Sequence, residues 1–399
     1  MDMEKWFFNL ESTNTENETI QESRMARIRT SVVEASSPLT VFPDTDDGFR
    51  HSTSLASVYP ARLFRRAHAI SPHAVALLPA CRDIPSAVTE LRWIRSHVAS
   101  NPASAAATTN GRRSPSKVLS GQDEEARVAR LCAKRGRGVP LQYVLGSQPF
   151  GALDIKCRPG VLAPRAETEA YALHLTEMIT RGRLPGFESR ELRVVDFCTG
   201  TGCIALSLYE RLTPWAKKLS ITGVDVSPVA VNLSRENLRR NVAAGCLIPP
   251  ALGKEVSFRK ADVFQETDMQ SLQRCDVLVS NPPYISREVW TYGQGQMGYS
   301  VRKYEPKLAL VPGDTAPAYD GCDHADVFYA RLLDIGSRLR PRVLLFEVGD
   351  EEQALRVVKL VRRNDFTRHA SCEIWRDWPD LPPEEEEAES FNTIWASGY

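Results

Sequence analysis

Ser280-Asn281-Pro282-Pro283-Tyr284-Ile285 follows the apolar run Val277-Leu278-Val279, and its residue types could grip a planar NH2 group. Asn281 brings a side-chain carbonyl that accepts hydrogen bonds. Pro282 and Pro283 fix φ and carry no N–H, so they hold a loop still and leave carbonyls free to accept. Tyr284 adds a flat aromatic face. Two acceptors beside a stacking ring suit a carboxamide or the exocyclic amine of a base. The same residues also serve as a plain strand-to-loop turn, because Asn-Pro is a common turn dipeptide.

A second stretch decides more. Val194-Val195-Asp196-Phe197-Cys198-Thr199-Gly200-Thr201-Gly202-Cys203 reads as a strand, a glycine turn and a helix start. Gly200 and Gly202 let the backbone approach a ligand with φ above zero. N–H groups at the helix start face an acceptor. Asp225 closes the next strand, where an acid can accept both hydroxyls of a ribose. Asp262-Val263-Phe264 ends a third strand with an acid and an apolar pair, suited to the amine and faces of adenine. Each turn alone could equally be packing. The chain lacks a Gly-x-x-x-x-Gly-Lys loop and any Lys or Arg arrangement for a pyrophosphate, so a dinucleotide fits less well than S-adenosylmethionine. The sulfonium and amino-acid end of S-adenosylmethionine call for carboxylates and backbone groups.

The elements around these stretches imply a parallel sheet. From Leu192 onward, strands at 192–197, 220–226, 256–260, 275–280 and 342–348 alternate with helices at 203–212, 228–240, 323–339 and 350–363. That alternation marks a βαβ arrangement. Residues 372–375 and 393–395 read as a closing antiparallel pair, with the acidic run Glu384 to Glu387 between them as a solvated loop. Ahead of the sheet, Ala87, Leu91, Ile94 and Val98 share one helix face, and Trp93 is expected to pack beside it. Residues 61–148 read as a small helical domain, with a low-complexity insertion at 99–120. A hairpin linker at 149–166 leads to a catalytic domain at 167–399. Its first helix could be capped by Thr168, or Glu167 and Glu169 could complement the helix dipole. Residues 1–60, poor in periodicity and rich in Ser, Thr, Glu and Asn, read as a disordered leader.

Composition excludes several classes. Lys+Arg and Asp+Glu are both 50, which argues against a chain whose main affinity is for nucleic-acid phosphates. No apolar run reaches the roughly 20 residues of a membrane span. The nine scattered cysteines include no Cys-x-x-Cys, so neither a disulfide framework nor a metal site is expected. The first 22 residues are acidic rather than Arg-rich, unlike a transit peptide. A start at Met25 would instead expose the more basic Met25-Ala-Arg-Ile-Arg.

These residues carry a resemblance. Asp196 to Leu206, Asp225 and Asn281-Pro-Pro-Tyr284 resemble the class I S-adenosylmethionine methyltransferases that modify planar nitrogens. Pro140-Leu-Gln-Tyr-Val-Leu-Gly146, Pro159-Gly-Val-Leu-Ala-Pro-Arg165, Glu167-Thr-Glu169, Glu305-Pro306 and Glu347-Val-Gly349 resemble the HemK/PrmC protein-(glutamine-N5) methyltransferases, in their fungal mitochondrial form. The resemblance covers about residues 61–399. It departs at Cys198, where the family often has glycine, at Val263, where an aromatic can stack on adenine, and around Asp320-Gly-Cys-Asp323, which is stretched.

The resemblance implies a Rossmann-like α/β fold, a seven-stranded sheet with an antiparallel last strand, preceded by a small helical domain. It implies methyl transfer from S-adenosylmethionine to a glutamine side-chain amide in the Gly-Gly-Gln loop of a mitochondrial peptide-chain release factor. The cofactor site would comprise Asp196, Cys198, Thr199, Gly200, Thr201, Gly202, Asp225, Asp262, Val263 and Asn281, and the catalytic set Asn281, Pro282, Pro283 and Tyr284. A ribosomal-protein glutamine, a flipped DNA or RNA base, a non-catalytic scaffold and a cytoplasmic location remain as alternatives.

Overall fold

In the computed structural model of the protein, residues 6–11, 61–101, 121–293, 297–377 and 379 are described. The chain divides into two compact units. One is helical and holds α1 (Ala61–Ile70), α2 (Pro72–Cys81), α3 (Ile84–Ser100), α4 (Gly121–Gly136) and α5 (Leu141–Leu145), together with the short segment Tyr299–Tyr304. The Ser71 and Asp83 side chains accept backbone N–H groups and so cap α2 and α3. Ala87, Leu91, Ile94 and Val98 are all buried on one face of α3, against Leu77, Leu78 and Cys132. Trp93 does not join them. It stands 51% exposed, because it lies two residues from Leu91 and one from Ile94, and neither spacing shares a helix face.

The second unit is built on a sheet. Its elements are β1 (Trp6–Glu11), β2 (Ser147–Phe150), β3 (Leu153–Lys156), α6 (Ala166–Thr180), β4 (Glu191–Phe197), α7 (Cys203–Leu212), β5 (Lys218–Asp225), α8 (Pro228–Ala243), β6 (Lys254–Lys260), α9 (Glu266–Gln270), β7 (Val277–Ser280) and α10 (Arg287–Tyr292). After α11 (Tyr299–Tyr304), which belongs to the helical unit, follow α12 (Val327–Leu339), β8 (Val343–Val348), α13 (Glu351–Arg363) and β9 (Ser371–Trp375). The seven-stranded sheet has the order β6-β5-β4-β7-β8-β1-β9. From β6 to β8 every pairing is parallel.

The strand that runs against the others is β1, which pairs antiparallel with both β8 and β9. Residues 393–395, expected to form that strand, lie outside the described residues, as do residues 102–120 and the acidic run 384–387. Residues 6–11 thus depart from the patternless leader expected at 1–60. The acid count of the whole segment hides the local run Trp6-Phe-Phe-Asn-Leu10, whose residue types favour a strand.

Buried strands alternate their side chains between two cores. Val194, Val277, Val279, Val343 and Leu345 share a core with Tyr171 and Leu175 of α6, Ile204 and Leu208 of α7 and Val231 of α8. Val195, Leu278, Leu344 and Phe346 meet α12 and α13 through Leu332, Leu333 and Val357. The sheet is therefore covered on both faces, and ligand access is left to the carboxyl ends of its strands.

Candidate cofactor and transfer site

A cavity of about 370 Å³ opens there, walled by residues following β4, β5, β6 and β7 and by the segments 160–165 and 306–316. Its size falls in the usual range for small-molecule sites. Cys198, Thr199, Gly200, Thr201, Asp225, Asp262, Val263, Asn281 and Pro283 all line it. Asp196, Gly202, Pro282 and Tyr284 are not on its wall.

The glycine turn has a visible steric cause. Gly202 has a φ of 80°, and a Cβ there would come within 2.8 Å of the Ser234 Cβ and 3.0 Å of the Phe258 ring. Cys198 adopts a φ of 58°, the left-handed region where a side chain is strained. A glycine at that place would be unstrained; the structure gives no reason for the cysteine. Burial pushes the Cys198 thiol well above its ordinary pKa, with Asp225 adding to the effect.

Two carboxylates stand at the turn. The Asp225 Oδ2 accepts the Gly200 N–H at 2.9 Å and its Oδ1 accepts the Ser227 N–H at 2.8 Å. A carboxylate oxygen can accept twice, so each keeps a lone pair for a hydroxyl from the cavity. Burial raises the Asp225 pKa, and the two N–H groups draw it back. Asp196 is fully buried, with Oδ2 accepting the Thr199 hydroxyl at 2.5 Å. Burial pushes its pKa up to about 7, against the pull of the Thr199 hydroxyl.

At the third strand, the Asp262 Oδ1 accepts the Phe264 N–H at 2.9 Å. Val263 and Phe264 both line the cavity, and Phe264 is braced edge-on against Phe328 with centroids 4.9 Å apart. Phe264 thus supplies the aromatic wall that Val263 cannot. Together, a ribose-accepting acid, an apolar slot and a glycine turn fit S-adenosylmethionine, and among the cavity-lining residues Arg165 is the one cation. Burial opposes the charge on Arg165, but Glu305, 2.7 Å away, outweighs it and holds the pKa above the ordinary value.

The transfer end is organised by Glu347 in β8. It is fully buried, and its Oε2 accepts the Asn281 Nδ2 at 2.6 Å and the Thr168 hydroxyl at 2.8 Å, while Oε1 accepts the Tyr284 hydroxyl at 3.3 Å. Thr168 is therefore not the cap of α6, since the N-cap position belongs to Arg165; its hydroxyl turns inward to the acid. The acids Glu167 and Glu169 do sit in the first turn. The Tyr284 ring lies along Gly349, where an added Cβ would come within 3.1 Å. Burial, then Glu347, raises its phenol pKa well above the ordinary value. The Tyr284 carbonyl accepts from Gln353 Nε2 at 3.1 Å, and Gln353 also donates to Asp326 at 2.8 Å.

Sequence reasoning assigned no role to Glu347 or Gln353, and it paired Phe264 with Val263 against adenine without placing Phe264 in the cofactor set. The signal for Glu347 was present, as a lone acid in the apolar run Val343-Leu-Leu-Phe-Glu-Val348. Such an acid is rarely buried without partners.

Residues 152–305 match the model of the methyltransferase small domain. The mitochondrial MRF1 N(5)-glutamine methyltransferase of Saccharomyces cerevisiae is 34% identical over 62% of this chain and 66% of its own length. Its probable counterpart in Schizosaccharomyces pombe is 36% identical over 58% and 71%. The release factor glutamine methyltransferase of Pasteurella multocida is 32% identical over 48% and 59%. The chain thus spans 59–71% of the length of these curated relatives. With the glycine turn, Asp225 and Asn281 on one cavity and these relatives beside it, the chain belongs to the family of release factor glutamine methyltransferases.

Proposed function

We propose that the protein methylates the side-chain amide nitrogen of a glutamine in a mitochondrial peptide-chain release factor, within its Gly-Gly-Gln loop. The observation that carries this reading is the hydrogen bond from Asn281 Nδ2 to Glu347. A carboxylate only accepts, so the Asn281 NH2 is committed to it and Oδ1 is the atom left for a substrate. The cavity wall at Asn281 therefore presents an acceptor, which suits an incoming NH2 donor.

S-adenosylmethionine supplies the methyl group. Asp225 would hold its ribose, Val263 and Phe264 its adenine, and the turn from Cys198 to Gly202 its amino-acid end. An amide nitrogen is a poor nucleophile because its lone pair is delocalised. Asn281 Oδ1 would accept a hydrogen bond from one of its N–H groups and aim the nitrogen, whereas Pro282, whose carbonyl the sequence offered as a second acceptor, is not on the cavity wall. Orientation of that kind is worth on the order of 7–11 kcal/mol in well-placed intramolecular reactions. Tyr284, turned to Glu347 and Gly349, braces the loop rather than forming the cavity wall. The mitochondrial assignment is supported by the names of the two yeast relatives.

The test is methyl transfer from labelled S-adenosylmethionine to a purified mitochondrial release factor, beside its Gly-Gly-Ala version. Label on the unaltered factor alone supports the reading. Label on neither, with label on ribosomal protein or nucleic acid, overturns the substrate and keeps the fold.

A further inference from the structure

Glu347 is the one charged residue of β8, and Val343, Leu344, Leu345, Phe346 and Val348 around it are buried hydrocarbon. An ionised carboxylate in such surroundings is costly unless donors fill its lone pairs. Three donors reach it from different elements: Asn281 after β7, Thr168 in α6 and Tyr284 in the proline loop. Asn281 and Thr168 line the cavity, whereas Glu347 has no exposed surface.

We propose that Glu347 is the positioning residue of methyl transfer: it fixes the orientation and polarity of the Asn281 amide so that Oδ1, and not Nδ2, meets the target. This rests on the glutamine-amide reading. An asparagine without such a partner can present either end. Presented NH2 first, it would meet the target's own N–H groups donor to donor. The carboxylate removes that choice. A charge-assisted hydrogen bond is also stronger than a neutral one, and a hydrogen-bonded amide polarises along its length. Negative charge behind Nδ2 therefore makes Oδ1 a better acceptor. Thr168 and Tyr284 also donate to the acid, so that its position does not depend on Asn281 alone.

A polar exchange separates this role from simple structural support. Glu347→Ala should lower kcat about 100-fold, the scale of losing one preorganised polar contact at a reacting centre. The dissociation constant for S-adenosylmethionine, read by calorimetry, should change less than about threefold. Asn281→Asp sets two carboxylates 2.6 Å apart and should lose at least as much. Combining Asn281→Asp with Glu347→Gln restores a donor–acceptor pair with its direction reversed. The introduced amide donates, and the second oxygen of the introduced carboxylate again faces the cavity. We expect kcat at least tenfold above that of Asn281→Asp, with the urea midpoint recovering in parallel.

A double variant whose midpoint recovers while kcat stays at the Asn281→Asp level would reduce Glu347 to structural support and overturn the proposal. So would a Glu347→Ala protein with kcat within about threefold of wild type. If the unaltered protein labels the release factor and the exchange does not rescue, this inference alone fails. If the unaltered protein labels no glutamine, the underlying reading fails and takes the inference with it.

Discussion

Asn237 on α8 holds Lys156 of β3 by both ends of its amide, Oδ1 accepting the Lys156 N–H at 2.7 Å and Nδ2 reaching the Lys156 carbonyl at 3.3 Å. The same Nδ2 donates to the Thr201 carbonyl at 2.9 Å. One turn further along, Asn241 treats Asp154 in the same way, at 3.0 and 3.1 Å. Two buried amides thus stand in for a neighbouring strand along the edge of β3, and they tie the hairpin to the glycine turn.

Asn237→Ala should therefore cost about 3 kcal/mol of stability, since it strands a buried N–H and a buried carbonyl at roughly 1–3 kcal/mol each. Urea titration reads the loss. Cofactor affinity should fall too, because segment 160–165, which walls the cavity, follows directly from β3.

Asp225→Asn should weaken S-adenosylmethionine binding by about 10- to 100-fold, the equivalent of about 1.4–2.8 kcal/mol. Whichever way the new amide turns, its NH2 faces either the Gly200 or the Ser227 N–H. The variant loses a ribose acceptor and gains a donor conflict. Calorimetric titration of the cofactor measures it.

Asp196 gives a pH signature. Its pKa in the folded protein, about 7, lies above the ordinary value of 3.8. The folded state therefore holds a proton that the unfolded chain has released. The stability from that protonated acid is fully present below about pH 4 and is lost as pH rises through about 7. Asp196→Asn removes the group, so its stability relative to wild type should grow between pH 5 and pH 8. Urea midpoints at the two pH values check this in the absence of cofactor.

Phe264→Ala should raise KM for S-adenosylmethionine about tenfold, within the span for losing an aromatic wall and its edge-on partner Phe328. The change leaves the Asn281 end untouched, so kcat should move by less than about threefold.

The wall of the candidate cofactor cavity was legible in the sequence because its signals are local. A glycine turn after an apolar strand, and an acid at the end of the next, each occupy a handful of consecutive residues. The transfer site was legible only in part. Asn281 and its prolines stand out as a tetrapeptide, but the acid that accepts from Asn281 is 66 residues away, and that acid is 179 residues from its other donor Thr168. A threonine just inside a helix looks like a cap until its inward partner is seen. Trp93 shows the reverse limit, since a large apolar residue beside a helical stripe need not join it. The pairing of β1 with β8 likewise joins opposite ends of the chain, and no local pattern names the partner.

The cavity also sets a bias on turnover. Asp225 and Asp262 stand on its wall, while Arg165 is already neutralised by Glu305. Such a lining is net acidic and attracts a cationic sulfonium more than the neutral thioether left after the methyl group departs.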